Sequence, residues 1–161
     1  MIKNFFEIAM DRKLPNIESH AGVSLNLGAG NKKIPGSISL DYPKWNADID
    51  KIPYRDNSIS EIHAYHFFEH CKYPVFILQE CQRVLQKGGV VNICVPYYTS
   101  QMAAHDLDHK HQFCEETWKN LFSCPYYDKN KIEWKFKIGF NFICGIVERN
   151  LCLLTQLIKE R

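Results

Sequence analysis

The sequence lacks the features that would mark it for secretion, for a membrane or for nucleic acid. Its charges nearly balance, with 18 Asp and Glu against 20 Lys and Arg, and the lack of a basic excess argues against nucleic acid as a partner. No run near the N-terminus is apolar enough for a signal peptide. The most apolar stretch, residues 140–158, contains Glu148 and Arg149, so we expect no membrane span. These absences together predict a cytoplasmic protein.

The cysteines also lack a shared pattern. There are seven, an odd number, and no two are spaced as Cys-x-x-Cys. Neither a secreted disulfide framework nor a zinc ribbon is therefore indicated. We expect seven reduced and mostly buried thiols, and we predict no resident metal.

What the sequence does contain is the alternation of strands and helices typical of one α/β domain. A chain of 161 residues fits a single domain over 1–161, and it has no internal repeat or low-complexity tract. Short apolar runs indicate buried strands, and apolar residues at helical spacing indicate amphipathic helices. The strands are expected at residues 23–27, 37–40, 59–65 and 90–95, and the helices at residues 75–85 and 115–122. This order predicts a Rossmann-like, mostly parallel sheet with helices on both faces.

The remainder of the chain predicts one more strand and one more helix. Residues 132–140 alternate between apolar and polar side chains, as in a half-buried strand. From residue 142 onward the apolar residues fall at helical spacing. We expect this terminal helix to pack on the sheet or on a second copy of the chain, so a homodimer is one expected assembly.

The first predicted strand runs directly into the glycine turn Gly28-Ala29-Gly30. Without side chains at its two glycines, the backbone can approach a ligand closely, although a tight turn alone would also explain them. Only six residues separate Gly30 from the next strand. That is too few for a crossover helix, so the first crossover should be abbreviated.

Two acidic positions follow the second strand. Asp41 ends it, and a carboxylate there can accept hydrogen bonds from the two hydroxyls of a ribose. Asp48 is followed by the apolar Ile49, a pair that suits the amino edge and the face of an adenine. A helix cap or an ordinary surface loop are the alternatives. Ligands of parallel sheets bind at the carboxyl ends of the strands, where the glycine turn, Asp41 and the residues after Tyr65 and Val95 should meet.

A histidine-rich segment, residues 105–111, follows the last of these strands. It contains three histidines and two aspartates, namely His105, Asp106, Asp108, His109 and His111. A histidine has an ordinary pKa suited to general base catalysis, and several together can bind a divalent metal. A substrate or cofactor lid, a polar loop and a metal site all remain open, and we expect a mobile lid.

Residues 25–70, LNLGAGNKKIPGSISLDYPKWNADIDKIPYRDNSISEIHAYHFFEH, resemble the half of class I methyltransferases that binds S-adenosylmethionine (SAM). Residues 78–98, LQECQRVLQKGGVVNICVPYY, resemble the helix, glycine turn and strand that follow in that family. More narrowly, the chain is similar to small predicted methyltransferases of bacteria, archaea and phages, many of them linked to surface-glycan synthesis. The resemblance spans residues 23–122.

The resemblance implies SAM as the cofactor and a set of residues that would bind it. The glycine turn would contact the methionine part, Asp41 the ribose, and Asp48 with Ile49 the adenine. His66 would lie beside the cofactor, and the next helix would open at Glu69 and His70. The full cofactor-binding set is Leu27, Gly28, Ala29, Gly30, Asp41, Tyr42, Asp48, Ile49 and His66.

We therefore predict methyl transfer from SAM to a small molecule or a glycan. His109 or His105 is the expected base, and His111 is the third catalytic candidate. One alternative is a SAM-binding module that acts through a partner without turnover, which the short chain and abbreviated crossover favour. A second alternative is a metal-dependent hydrolase built on residues 105–111.

Overall fold

A mixed sheet organises the part of the chain that a computed structural model describes, which is residues 22–123, 132–145 and 150–160. Its six strands lie in the spatial order β2-β1-β3-β4-β6-β5. Their bounds are β1 Val23–Leu27, β2 Ser37–Leu40, β3 Ile59–Tyr65, β4 Leu85–Pro96, β5 Phe136–Cys144 and β6 Cys152–Lys159. Strand β1 pairs in parallel with β2 and β3, and β3 pairs in parallel with β4. The first three strands have the predicted bounds, which confirms that part of the pattern.

Three α-helices and one short 3-10 helix connect these strands within the described residues. They are η1 Phe68–His70, α1 Pro74–Val84, α2 Gln101–Ala104 and α3 Glu115–Ser123. Helices α1 and α3 confirm the two predicted amphipathic helices. Helix α1 begins at Pro74, because a proline is well suited to the first helical position. The prediction that Glu69 and His70 open this helix is wrong, since both lie in η1.

The abbreviated first crossover is also confirmed. Residues 28–36 join β1 to β2 through turns, with no helix between them. The Gly28 N–H donates to the Leu40 carbonyl at 2.9 Å, which holds the turn beside the end of β2. The carboxyl ends of β1 and β2 are therefore adjacent and uncovered by a crossover helix.

The predicted terminal helix is wrong. Within its span the structure has the end of β5 and all of β6, and residues 146–149 lie outside the described part. Strand β6 is antiparallel to both of its neighbours, β4 and β5. Its side chains from Cys152 to Leu157 are buried on both faces of the sheet. A strand buried on both faces shows no polar alternation, so its apolar residues can imitate helical spacing. Strand β5 was predicted four residues too early, over residues 132–140.

The main core lies on one face of the sheet. Leu25 and Leu27 of β1 and Ile93 of β4 pack there with Ile77 of α1 and Trp118 of α3. A smaller cluster joins Cys94, Cys144, Cys152 and Leu154. Because successive strand residues point to opposite faces, Cys94 lies on the other face from Ile93 and Val95. No helix of the described residues is long and apolar enough to cross a membrane.

Candidate active site

A cavity of about 430 Å³ opens at the carboxyl ends of the first three strands. This is the position at which parallel sheets bind their ligands. Its walls come from the glycine turn, the loop after β2, the segment after β3 and the histidine-rich segment. The lining residues are Gly28, Gly30, Asp41, Tyr42, Trp45, Asn46, Ala47, Asp48, His66, Phe67, His70, Cys71 and Asp108.

The two glycines of the turn have different structural roles. Both have positive φ, 62° at Gly28 and 50° at Gly30, a conformation that costs other residues free energy. A Cβ atom at Gly28 would collide with the ring of Phe67, whereas one at Gly30 would meet nothing within 4 Å. Gly28 is therefore required by packing, and Gly30 leaves open space at the cavity where a ligand can approach the backbone.

Asp41 holds the glycine turn in place. One oxygen of its carboxylate accepts a hydrogen bond from the Gly30 N–H, and the other accepts one from the Tyr42 N–H at 2.8 Å. An ionised carboxylate can accept about four hydrogen bonds, so both oxygens retain capacity for a ligand. Asp41 thus orders the turn and also offers acceptors to a pair of hydroxyls.

Asp48 and Trp45 secure the loop that follows β2. The Asp48 Oδ1 accepts from the backbone N–H groups of Lys72 and Tyr73, at 2.7 and 3.4 Å, and so ties the loop to the residues just before α1. The Trp45 indole donates to the Lys51 carbonyl at 3.1 Å, and its ring stacks on Phe67 with centroids 6.2 Å apart. This wall of the cavity is consequently ordered by the chain itself.

Glu80 of α1 anchors the far side of the same loop. Its carboxylate accepts from the Ile52 N–H at 3.0 Å and from two nitrogens of Arg83 at 2.9 and 2.7 Å. Arg83 also donates to the carbonyls of Ile52 and Tyr54 and to Asp56. Burial acts to raise the pKa of Glu80, because it disfavours the charged carboxylate. The hydrogen bonds from Arg83 and Ile52 outweigh burial and lower this pKa below its ordinary value.

His66 occupies an unusual backbone position just after β3. Its φ is 52°, a value that ordinary residues rarely adopt and that is common at ligand sites. Its Nδ1 lies 3.1 Å from Oε1 of the buried Glu69, and its Nε2 lies 4.0 Å from Cys94 Sγ. Burial alone would lower the pKa of His66, but hydrogen bonds with Cys152 and Glu69 raise it to about 9.

Cys94 and Cys152 are hydrogen-bonded to each other next to this imidazole. A hydrogen bond from Cys94, together with the nearby His66, lowers the pKa of Cys152 to about 6 in spite of its burial. The pKa of Cys94 is raised by the same hydrogen bond and by burial. Cys71, Cys81, Cys94, Cys114 and Cys152 are free thiols, and Cys124 lies outside the described residues.

His70 is the second histidine of the cavity wall, and Asp108 orients it. Its Nδ1 lies 3.3 Å from the Asp108 Oδ2. Lys110 donates to the Asp108 carboxylate at 3.2 Å and to the His70 carbonyl at 2.8 Å. Lys110 and then His70 lower the pKa of Asp108, so the carboxylate is charged at neutral pH. An imidazole held at Nδ1 by a carboxylate presents Nε2 as its basic nitrogen.

The three histidines predicted as catalytic candidates do not line the cavity. His109 packs behind His70, with ring centroids 4.7 Å apart, and its Nδ1 lies 3.3 Å from the Ala103 carbonyl. The His105 ring lies 6.4 Å from that of His109. The structure does not bring His105, His109 and His111 together as a metal-ligand set.

The histidine-rich segment is better anchored than its polar composition indicated. Phe113 just after it is buried and stacks on Trp118 at 5.4 Å. The Lys110 N–H donates to the Glu69 carbonyl at 2.7 Å. The segment therefore contributes one fixed side chain to the cavity, Asp108.

The structure brings together most of the residues that were predicted to bind a cofactor. Six of the nine line the cavity: Gly28, Gly30, Asp41, Tyr42, Asp48 and His66. Leu27 and Ala29 are buried in the strand end and the turn, and Ile49 is 73% exposed and outside the lining. The sequence reasoning missed Trp45, Phe67 and Cys71 as lining residues. Adjacency to His66 and His70 was the only signal that could have found Phe67 and Cys71.

Comparison with known proteins agrees with this geometry. Residues 26–93 match the model of a methyltransferase domain family. A chain in the complex between the Trm112 methyltransferase activator of Haloferax volcanii and a methyltransferase is 14% identical, covers 97% of this chain and 88% of its own, and has a TM-score of 0.68. A SAM-dependent methyltransferase from Archaeoglobus fulgidus is 15% identical, with 96% and 93% coverage and a TM-score of 0.66. No curated protein matches in sequence.

The fold is that of class I SAM-dependent methyltransferases, and residues 26–93 match a methyltransferase domain. Both similarities imply SAM as the cofactor. The fold also carries other chemistry, because the [4+2]-cyclase SpnF has a TM-score of 0.59 at 12% identity, with 86% of this chain and 75% of that chain covered. The residues present fit the cofactor: the turn is open at Gly30, and Asp41 retains hydrogen-bond acceptors there.

Proposed function

We propose that this methyltransferase acts on a hydroxyl group of a small molecule or a glycan that enters the cavity beside His70. The observation that carries the proposal is the His70–Asp108 pair in the cavity wall. When bound, SAM supplies a methyl group made electrophilic by its sulfonium. The residues of the chain then have to bind the two substrates, align them and receive the proton of the hydroxyl.

We assign cofactor binding to the lining residues of the first three strand ends. The open backbone at Gly30 faces the methionine part, Asp41 accepts hydrogen bonds from the ribose, and Asp48 borders the adenine. Tyr42, which is 76% exposed at the cavity rim, can cover the outer side of the nucleoside. Leu27 and Ala29 support the turn from behind, and Ile49 would reach the adenine only if its loop moved.

We assign the proton-accepting role to His70. It lines the cavity, and Asp108 holds its Nδ1, which leaves Nε2 as the basic nitrogen. His66 is less suited, because both of its ring nitrogens already have neighbours in Glu69 and Cys94. His109 acts as a positioning residue through its packing on His70. His105 and His111 have no support as catalytic groups from the cavity lining.

Calorimetry with S-adenosylhomocysteine tests the cofactor half of the proposal. The wild-type chain should bind it, and Asp41→Ala should weaken binding by about 1–3 kcal/mol, because hydrogen bonds to a charged acceptor are lost. Glu116→Ala is the matched control, since Glu116 pairs with Lys119 on the surface of α3 and should leave affinity unchanged. Absence of binding by the wild type at millimolar ligand would refute the assignment.

The acceptor half is tested by turnover. The purified chain is incubated with SAM and a panel of hydroxylated small molecules and oligosaccharides, and formation of S-adenosylhomocysteine is measured. Turnover with a hydroxylated acceptor, lost in His70→Ala, supports the proposal. Turnover that is confined to amine or thiol acceptors contradicts it.

A second candidate is a SAM-binding module that works through a partner. It is supported by the Haloferax relative, whose structure is a complex with a methyltransferase activator. Cofactor binding without turnover on any acceptor, restored by a partner protein, would favour it. The expected homodimer depended on a terminal helix, and the described residues of that span form the end of β5 and all of β6 instead.

A further inference from the structure

We infer that His66, Cys94 and Cys152 form a binding site for zinc at the edge of the cavity. One ligand atom from each of the three residues lies within 4.8 Å of the other two. They come from three separate places in the chain, namely the segment after β3, the end of β4 and the start of β6. This site goes beyond the proposed transfer reaction and does not depend on the identity of the acceptor.

The spacing of the three ligand atoms is close to that of a zinc site. Zinc binds sulfur at ~2.3 Å and imidazole nitrogen at ~2.0 Å, so two tetrahedral ligands lie roughly 3.5–3.8 Å apart. His66 Nε2 and Cys94 Sγ are 4.0 Å apart. All three ligand atoms lie within 4.8 Å of one another, so side-chain movements of about 1 Å would bring them to zinc-site spacing.

Glu69 supplies the support that a zinc-binding histidine usually has. Ligating histidines commonly donate their second N–H to a carboxylate, which fixes the ring orientation. Glu69 is 1% exposed, and its Oε1 lies 3.1 Å from His66 Nδ1. The imidazole is thus directed with Nε2 toward the two thiols.

The donor set selects the metal. Two thiolates and one imidazole are soft or borderline ligands, which favour zinc over magnesium or calcium. The other group of described residues with metal-ligand spacing is Glu69, His70 and His109. Oε1 of Glu69 and Nδ1 of His70 already face His66 and Asp108. Oε2 of Glu69 is buried without a hydrogen-bond partner, but this group contains no thiolate, the ligand type that binds zinc most strongly. We therefore place the metal at the thiols.

The first test measures metal binding by the whole chain. Protein purified under reducing conditions is stripped with a chelator, given one equivalent of zinc, desalted and analysed by elemental mass spectrometry. We expect one zinc per chain. Cobalt in place of zinc should give the near-ultraviolet absorption of a thiolate–cobalt bond, which requires cysteine ligands in the native protein.

Three variants locate the site. Cys152→Ser should lower the retained zinc at least about tenfold, and Cys114→Ser is the matched control, since Cys114 lies outside the cluster and should retain zinc. Glu69→Gln should weaken zinc affinity about 10- to 100-fold, measured by competition with a coloured chelator. His109→Ala should keep the metal. Circular dichroism confirms that each variant is folded.

The outcomes that would overturn the site are equally specific. They are the absence of zinc or cobalt binding by the reduced wild type, and a cobalt complex without thiolate absorption. Loss of the metal in His109→Ala with retention in Cys152→Ser would place it at Glu69, His70 and His109 instead. The wild-type cobalt spectrum decides the question even if Cys152→Ser fails to fold.

Discussion

The two walls of the cavity are built from different parts of the chain. On the side of β1 and β2, the backbone of the glycine turn faces the cavity, and Asp41 holds that backbone through a hydrogen bond from the Gly30 N–H. On the side of β3 and the histidine-rich segment, the wall consists of titratable side chains, chiefly His66, His70 and Asp108. A backbone wall suits a cofactor that a whole family shares, and a side-chain wall suits an acceptor that differs from one member to the next.

The largest effect on stability is expected from a methyl group added to the backbone wall at Gly28. In Gly28→Ala the new Cβ would collide with the ring of Phe67 at a φ of 62°. We expect a loss of about 2–5 kcal/mol in the free energy of unfolding, from overpacking and left-handed strain together. Urea denaturation measures it.

Gly30→Ala is the control for that change. Its Cβ meets no atom within 4 Å, so stability should fall by only about 1–2 kcal/mol, from the left-handed backbone. Binding of S-adenosylhomocysteine should nevertheless weaken, because the new methyl group occupies cavity space. Equal stability losses in the two variants would show that contact with Phe67 does not restrict Gly28 more than Gly30, and that the packing argument is wrong.

Substitutions in the side-chain wall should change turnover and not cofactor binding. His70→Ala should lower kcat by about 10²-fold, the usual contribution of a general base, and leave the affinity for S-adenosylhomocysteine nearly unchanged. Asp108→Asn should have a smaller effect in the same direction, because it removes the charge that orients the imidazole. A change in cofactor affinity as large as the change in kcat would mean that the side-chain wall also binds the cofactor, and that binding and catalysis are not separated between the two walls.

His109→Ala separates a catalytic group from a positioning group. If His109 were the base, its removal would lower kcat as much as His70→Ala does. Because it packs behind His70, we expect a loss of about tenfold or less, well below the general-base contribution, with partial recovery in His109→Phe through the restored ring contact. Initial rates with saturating acceptor give the comparison.

The last expected effect concerns the loop at the edge of the backbone wall. Glu80→Gln should lower the free energy of unfolding by about 1–3 kcal/mol at pH 7, because charge-assisted hydrogen bonds to Arg83 and Ile52 are weakened. The pKa of Glu80 is lowered in the folded protein, so its stabilisation is complete above the unfolded value of about 4.3. The difference between wild type and variant should therefore shrink as the pH falls below about 4. A difference that is constant from pH 7 to pH 3 would contradict this account.

The backbone wall could be predicted from the sequence, and much of the side-chain wall could not. Gly28, Gly30 and Asp41 are constrained by short-range geometry, because a strand, a turn and the next strand fix their positions within a few residues. His70 and Asp108 meet only through a long connection, and no spacing rule links them. The Cys94–Cys152 pair was missed for another reason. It exists because β6 lies antiparallel beside β4, and the buried side chains of β6 carry a spacing that predicts a helix.

The position of β6 has a consequence for how the chain reaches its folded state. β6 follows β5 in the chain but lies between β5 and β4 in the sheet. β5 therefore has no strand to pair with until β6 has been synthesised, and the two join the rest of the sheet only when β6 docks on the edge of β4. Such non-local pairing is slow and leaves a strand edge exposed in the meantime. Cys152, at the start of β6, reaches Cys94 only in that same step, so the zinc site we infer would form together with the completed sheet, and zinc could hold β6 in place once it docks.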